Sequence, residues 1–520
     1  MRPLLFIILA ISYCCSLSFD REKQDLKKAL RLNLSSPPPS LDPRKAADLI
    51  SNNLVHMLFE GLTKLDSQGQ AKLAIAKSVK ISSDQKNFLF ELKKTHWSDG
   101  KELSAYEFEK SWKQRLSKDF PSQVPQQMYL IKNARKAKLG LCETAEIGVK
   151  SLSETTLEIE LEHPCPYFLQ LLACHCFFPV KDEKALVGNG PFLLKKHKAL
   201  HKICLNKNPY FWEAENVKLE TVDISFVPDS MTEIYLFEND ELDWAGAPFS
   251  KLSSDALPNL LKEPTFSQIE AAGTYCYKFN TKKAPFNNSK MRKAFSYALK
   301  REQIVKHITQ GLETPVTGST PTAMALQKKP FFKDGNLEKA KALFLDALKE
   351  LKMEQKDIPS ITLSFNSSEE HQKIAQAVQQ QWQNAFGIPI ILENSEWQIY
   401  LEKLKSGDYQ VGRMSWFADV GDPIEFLELF KYADDEALGG NNQTRWENTK
   451  YQRLLEESFF AKTKEERNEL LLRAENILID EMPFAPLFSI NFSYLKKEKL
   501  RGVNFSPLGF VDLRYAYKES

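Results

Sequence analysis

Leu30, Leu32 and Leu34 alternate with Arg31 and Asn33, the period-two pattern of a strand with one buried face. Pro37-Pro38-Pro39 ends it, because proline cannot donate to a ladder. The period then changes. Leu49, Leu54, Val55, Leu58 and Phe59 share one helical face, with Gly61 as the expected stop. Alternation returns at Phe88, Phe90 and Leu92 and at Leu157, Ile159 and Leu161. Between these lie a tight turn at Trp97-Ser98-Asp99-Gly100 and a capping box, Ser104 to Glu107, that opens a helix carrying Phe108 and Trp112. Further strands fit Ile203 to Leu205, Val222 to Phe226 and Tyr275 to Phe279. Beyond Pro285 the spacing predicts helices over 291–299, 302–308 and 337–348, then a strand at Ile361, Leu363 and Phe365. A helix from His371 through Ile374, Ala375, Val378 and Trp382 follows, then a short strand over 388–392. Strands alternating with helices in both halves predict α/β lobes, and two lobes imply a cleft.

The stretch from Tyr409 to Phe430 concentrates candidate chemistry. Tyr409 to Phe417 suits a strand. Asp422-Pro423-Ile424-Glu425 predicts a helix start, with Asp422 as cap, Pro423 at the first turn and Glu425 closing a capping box. Asp419 is left on the connection, just after Trp416 and Phe417. Connections beyond strand ends are where α/β proteins hold ligands, and a carboxylate beside large aromatics suits a small cation.

The chain has 520 residues, too many for one ordinary core, with 42% hydrophobic and 27% charged residues and a net charge of +2. That balance offers no field for nucleic acid. Arg2 followed by the apolar run Leu4 to Ile11 reads as a signal peptide over residues 1–15, too short for the ~20 residues of a spanning helix. Cys14 and Cys15 follow it directly and are the expected lipidation positions, although Tyr13 stands where a small residue is wanted. The mature part is expected outside the cytoplasm, periplasmic or at the cell surface, meeting the membrane only through such an anchor.

His163, Cys165, Cys174, His175 and Cys176 lie close together. Their spacing is not that of a zinc knuckle, and the residues between them read as a core helix, so no metal is expected. A disulfide among the six later cysteines stays open. No metallopeptidase, serine-elbow or phosphate-loop motif occurs, so no catalytic residue is assigned and no enzyme is expected.

A series of short motifs carries more than any of these patterns alone. Ser40-Leu41-Asp42-Pro43, Phe59-Glu60-Gly61-Leu62, Trp97-Ser98-Asp99-Gly100, Asn189-Gly190-Pro191-Phe192 and Lys207-Asn208-Pro209-Tyr210-Phe211-Trp212 come first. Glu241-Leu242-Asp243, Ala284-Pro285-Phe286-Asn287, Met291-Arg292-Lys293-Ala294, Glu396-Trp397 and Gly407-Asp408-Tyr409 continue the order. Together they resemble the oligopeptide-binding branch of the extracytoplasmic solute-binding proteins that serve ABC importers.

The resemblance implies a three-domain, bilobal periplasmic-binding-protein clamp with its ligand buried between lobes. One lobe would comprise 28–65 with 187–280 and 491–520, carrying 66–186 as an inserted domain; 281–490 would form the other. It implies that Asp419 meets a peptide α-amino group and that Trp416 and Trp397 line side-chain pockets. Ser415 and Phe417 would offer main-chain groups. Arg413 and His371, with Asn366 as a further candidate, would meet the peptide carboxylate. By period-two counting Arg413 and Trp416 face opposite sides of the strand. The expected partners are a short peptide and a membrane ABC permease. No cofactor is needed, and a monomer is expected. Departures from the family pattern are Pro37-Pro38-Pro39, where relatives pair with ligand backbone, and His307 and Leu404, where some relatives have basic residues. Alternatives on the same scaffold are murein-derived peptides, nickel chelates and haem, with an extracytoplasmic hydrolase more remote.

Overall fold

The computed structural model describes residues 29–66, 69–122, 125–181, 186–198, 202–253, 255–431 and 442–519. The signal-peptide and lipidation expectations, with Cys14 and Cys15, lie outside them. Among the described residues no helix is long and apolar enough to cross a membrane.

The first strand, Ala29–Leu34, pairs in parallel with Thr221–Phe226, which continues antiparallel to Lys202–Lys207 and then Phe192–Lys198. It is buried on both faces rather than one. Asn33 is only 1% exposed, because its amide donates to the Val227 carbonyl at 3.0 Å and its own carbonyl accepts the Val227 N–H at 2.8 Å. A polar side chain with both ends satisfied can be buried. Helix Leu49–Leu58 starts at Asp48, whose carboxylate accepts the Ser51 N–H, and it stops at Phe59 in an extended conformation, not at Gly61. Gly61 instead permits close packing, since a Cβ there would lie 2.8 Å from the Phe178 ring.

A second four-stranded sheet is antiparallel, in the order Ala76–Ile81, Asn87–Leu92, Thr156–Glu160, Val149–Ser151. Helix Ala105–Arg115 packs beside it with its Ser104–Glu107 capping box formed and with Phe108 and Trp112 buried. Buried side chains of both sheets belong to one continuous core.

The seven-stranded third sheet is organised by two long antiparallel strands, Phe266–Phe279 and Phe484–Lys496. At one end Trp244–Gly246 pairs with Tyr494 to Lys496, while Asp243 N–H donates to the Arg31 carbonyl of the first sheet at 2.9 Å. At the other end Val411–Phe417 pairs with Gly273 to Phe279 and leads to Ile361–Asn366 and Ile390–Ser395. The long strands therefore connect the first sheet's neighbourhood with the Val411–Phe417 end of the third. Helices Ser289–Tyr297, Arg301–His307, Leu337–Leu351 and Glu369–Phe386 cover this end, around a core that includes Phe286, Phe295, Phe344, Trp382 and Phe386. The outcome is a bilobal α/β clamp.

Candidate functional site

The strand Val411–Phe417 starts two residues later than Tyr409. Gln410 is bound elsewhere: its carbonyl accepts the Asn280 N–H and its side chain accepts the Thr362 N–H, both at 2.9 Å. One edge of the strand is fully paired with Gly273 to Phe279. The other pairs only where Val411 and Gly412 meet Leu363 and Ser364. From Arg413 to Phe417 no strand covers that edge among the described residues. The Tyr400 hydroxyl donates to the Arg413 carbonyl at 2.5 Å from this open side, whereas Ala418 N–H donates to the Ala272 carbonyl on the paired side. In an antiparallel ladder the main-chain groups of alternate residues point to opposite edges. Ser415 and Phe417 therefore direct their N–H and C=O groups to the open edge.

Beyond the strand, Asp419 is partly buried. Its Oδ2 accepts the Gln127 side-chain amide at 2.5 Å, and its main-chain carbonyl lies 3.3 Å from the Cys174 thiol that donates to it. Both partners come from the part of the chain that carries the second sheet, 292 and 245 residues before Asp419. Burial raises the Asp419 pKa, and the Gln127 hydrogen bond opposes the shift. Glu425 does not close a capping box on Asp422. The helix spans only Ile424–Leu427, Asp422 N–H is taken by the Val420 carbonyl, and Glu425 Oε2 accepts the Asp419 N–H at 3.4 Å. Burial first and the Asp419 charge second push the Glu425 carboxyl well up. Asp422 accepts the Ile424 N–H at 3.0 Å, and its carboxylate is forked by Arg467 at 2.7 and 2.9 Å. It is thus neutralised, whereas Asp419 has no cationic side chain paired with it among the described residues.

The other end of the strand has the opposite character. Arg413 donates to Asn366 Oδ1 at 3.2 Å and to the Ser415 hydroxyl, and its guanidinium stacks 4.9 Å from the Tyr275 ring centre. All three partners are uncharged. Arg413 forms no ion pair among the described residues, and its buried Nε has no hydrogen-bond partner. His371 lies beside the same ring, with its Nδ1 3.5 Å from the Tyr275 hydroxyl. Burial, then Arg413 and Lys251, lower the His371 pKa to about 3. Lys251, which follows the strand Trp244–Gly246 in the chain, pairs with Glu370. Arg413, Ser415, Asn366 and His371 are thus brought together, as a group separate from Asp419.

Trp416 faces away from Arg413, as the alternation predicts. It packs against a cluster of Ala272, Ala418, Phe426 and Leu508, against which Leu65 and Phe510 also pack. Its indole N–H is buried without a partner. Next to Leu65 and Phe510 lies a cavity of about 50 Å³, also lined by His56, Lys64, Ala173 and Asp512. Phe417 is 40% exposed and stacks on Phe492 at 5.8 Å. Trp397, 45% exposed, stands 6.3 Å from the Tyr400 ring on the open-edge side, apart from the Trp416 cluster. The sequence reading missed Gln127, Cys174, Tyr275 and Lys251. Only long-range folding brings them to this strand, and none sits in a motif.

The described cysteines, Cys142, Cys165, Cys174, Cys176, Cys204 and Cys276, are free thiols. His175 bonds the Ala46 carbonyl at 2.9 Å and His163 the Pro164 carbonyl at 3.0 Å, so these rings engage main chain.

A clamp with an open strand edge and charges held at its two ends is a substrate-binding architecture, not a catalytic one. Residues 70–437 match the family described as bacterial extracellular solute-binding proteins, family 5 (middle region), and the chain belongs to that family. Its members here are binding proteins of transporters, not enzymes. The chain is 38% identical over 509 residues to the oligopeptide-binding protein OppA of Bacillus subtilis strain 168, covering 94% of this chain and 93% of that one. Among solved structures it resembles a periplasmic oligopeptide-binding protein from Borrelia burgdorferi, with TM-score 0.80, 29% identity and coverage of 94% and 100%. It also resembles the Escherichia coli murein tripeptide binding protein MppA, with TM-score 0.80, 27% identity and coverage of 94% and 98%.

Proposed function

We propose that this chain captures short peptides outside the cytoplasm and delivers them to a membrane ABC permease. The observation that carries the reading is the open edge from Arg413 to Phe417, flanked by an unneutralised carboxylate at Asp419 and an unneutralised guanidinium at Arg413. A peptide laid along that edge gains main-chain hydrogen bonds at Ser415 and Phe417 whatever its sequence. Its ammonium meets Asp419 and its carboxylate meets Arg413, His371 or Asn366, according to length. Trp416 and Trp397 supply apolar walls for side chains. A ligand touching both lobes favours closure, because only the closed clamp makes both sets of contacts. In this reading 28–65, 187–280 and 491–520, with 66–186 inserted, move against 281–490. The protein works as a monomer, and a lipid on Cys14 or Cys15 tethers it at the membrane. Labelling with a fatty-acid analogue, lost on substituting both cysteines, tests the anchor.

The test of the ligand is a thermal-shift titration of the mature chain, freed of copurified ligand, with a pool of tri- to pentapeptides and the same pool N-acetylated. Stronger stabilisation by the free-amine pool than by the N-acetylated pool is expected. Equal stabilisation by both overturns the role of Asp419, and no stabilisation by either overturns the peptide reading.

A further inference from the structure

Hydrogen-bond accounting around Asp419 is unbalanced in one direction. Gln127 gives its amide N–H to Asp419 Oδ2 at 2.5 Å, yet its carbonyl Oε1 is buried with no partner among the described residues. Gln170 also has a buried Oε1 without a partner among the described residues, 3.7 Å from where a Cβ on Gly421 would stand. With the Asp419 carboxylate, this corner presents an excess of acceptors. A buried polar group left unmatched is costly, and a wall of unmatched acceptors is suited by a group rich in donors. An ammonium, with three N–H bonds, is such a group. A lone carboxylate cannot engage all three in separate, well-directed bonds.

We propose that Gln127 is a second recognition residue for the ligand's amino group, so that one ammonium is held by Asp419 from one lobe and by Gln127 Oε1 from the other. This rests on the reading of Asp419 as the amine site. The consequence is that amine recognition and closure are one event. Asp419 meets the amine in the open clamp, and Gln127 reaches it only when the lobes come together. The mature chain thus distinguishes a primary amine from a blocked one at the closing step. Cys174, whose thiol already donates to the Asp419 carbonyl at 3.3 Å, fixes the connection's main chain instead of touching the amine.

The test uses the mature full-length chain with Gln127→Leu, similar in bulk and without an acceptor, and with Gln127→Met as a second variant should the first fold poorly. Each is titrated by thermal shift with the free-amine and N-acetylated tri- to pentapeptide pools, beside Asp419→Ala. The expected result is a roughly tenfold rise in the half-saturating concentration for the free-amine pool, as for loss of one hydrogen bond to a charged group, and no change for the N-acetylated pool. An equal loss for both pools would assign Gln127 to closure alone and overturn the proposal, as would unchanged or tighter binding of the free-amine pool. If Asp419→Ala leaves the free-amine response intact, the parent reading fails first. If only the Gln127 variants do so, Asp419 stands and Gln127 alone is excluded.

Discussion

The two ends of the strand Val411–Phe417 are built on opposite principles. Past its C-terminal end, Asp419 sits among acceptors, its carboxylate bound by the neutral amide of Gln127. Near its N-terminal end, Arg413 sits among an amide, a hydroxyl and an aromatic ring. Among the described residues each end keeps one charge without a counter-ion, in contrast with Asp422, which Arg467 neutralises only three residues from Asp419. In the proposed reading, two unmatched charges of opposite sign along one open edge would give a bound peptide a direction, amine toward Asp419 and carboxylate toward Arg413, antiparallel to the strand. They also bound its length, since six residues of chain reach at most about 20 Å. The acidic end is a single fixed point pinned by Gln127. The basic end spreads over Arg413, His371 and Asn366, which suits peptides of more than one length.

Removing the fixed point has the largest expected effect. Asp419→Ala should weaken binding of free-amine peptides by about 2–5 kcal/mol, as for one side of a buried charge pair, while sparing N-acetylated peptides. Calorimetry with matched pairs reads the difference, and equal losses would dissolve the comparison. Arg413→Gln should cost about 1.5–3 kcal/mol for free-acid peptides and little for C-terminally amidated ones. A comparable cost for both forms would mean that Arg413 supports the strand rather than the ligand. Trp416→Ala should cost about 1–2 kcal/mol, concentrated in peptides with a bulky residue against it, which a positional library would register.

The pH dependence sharpens the contrast because its sign differs between the ends. Burial raises the Asp419 pKa, so the free site keeps a proton to a higher pH than an ordinary carboxylate. An ammonium pairs only with the ionised form, so affinity for free-amine peptides should fall as pH drops from neutral toward that raised value. His371 is held near 3 and is neutral at physiological pH. A ligand carboxylate would raise that value, so binding takes up a proton, and affinity for N-acetylated free-acid peptides should increase as pH falls below neutral. Titrations from pH 8 to pH 5 with the two blocked forms separate these slopes, and slopes of the same sign would count against the arrangement. Stability follows a related rule. His56, His175 and His371 are each held near 3 by burial against an ordinary 6.5. Their contribution is intact above 6.5 and is lost as pH falls from 6.5 toward 3, where the unfolded chain protonates first.

Local pattern was enough to find most elements, including the capping box at Ser104 and Glu107 and the turn at Gly100, because capping and turn chemistry act within a few residues. It also placed Arg413 and Trp416 on opposite faces, since alternation along a strand is a property of the backbone. It failed where a distant partner competes. Glu425 has the spacing of a capping box, but the buried Asp419 N–H claims it. Gly61 looks like a helix stop, yet the close approach of Phe178 explains it. The strand Phe484–Lys496 follows no clean alternation because most of its length is buried on both faces.

By itself the sequence determined the family, through motifs dispersed over nearly the whole chain, and singled out Asp419 as a carboxylate on a strand-to-helix connection. Those are properties of residue order. Only the tertiary structure decided which charges stay unmatched. Asp422 and Asp419 look alike along the chain, but Arg467 reaches one of them and Gln127 reaches the other. The open edge from Arg413 to Phe417 was likewise beyond the sequence, because an edge is defined by the strand that fails to pair with it. Long-range pairing sets both, and residues hundreds of positions apart carry no local signal of the partner they will meet.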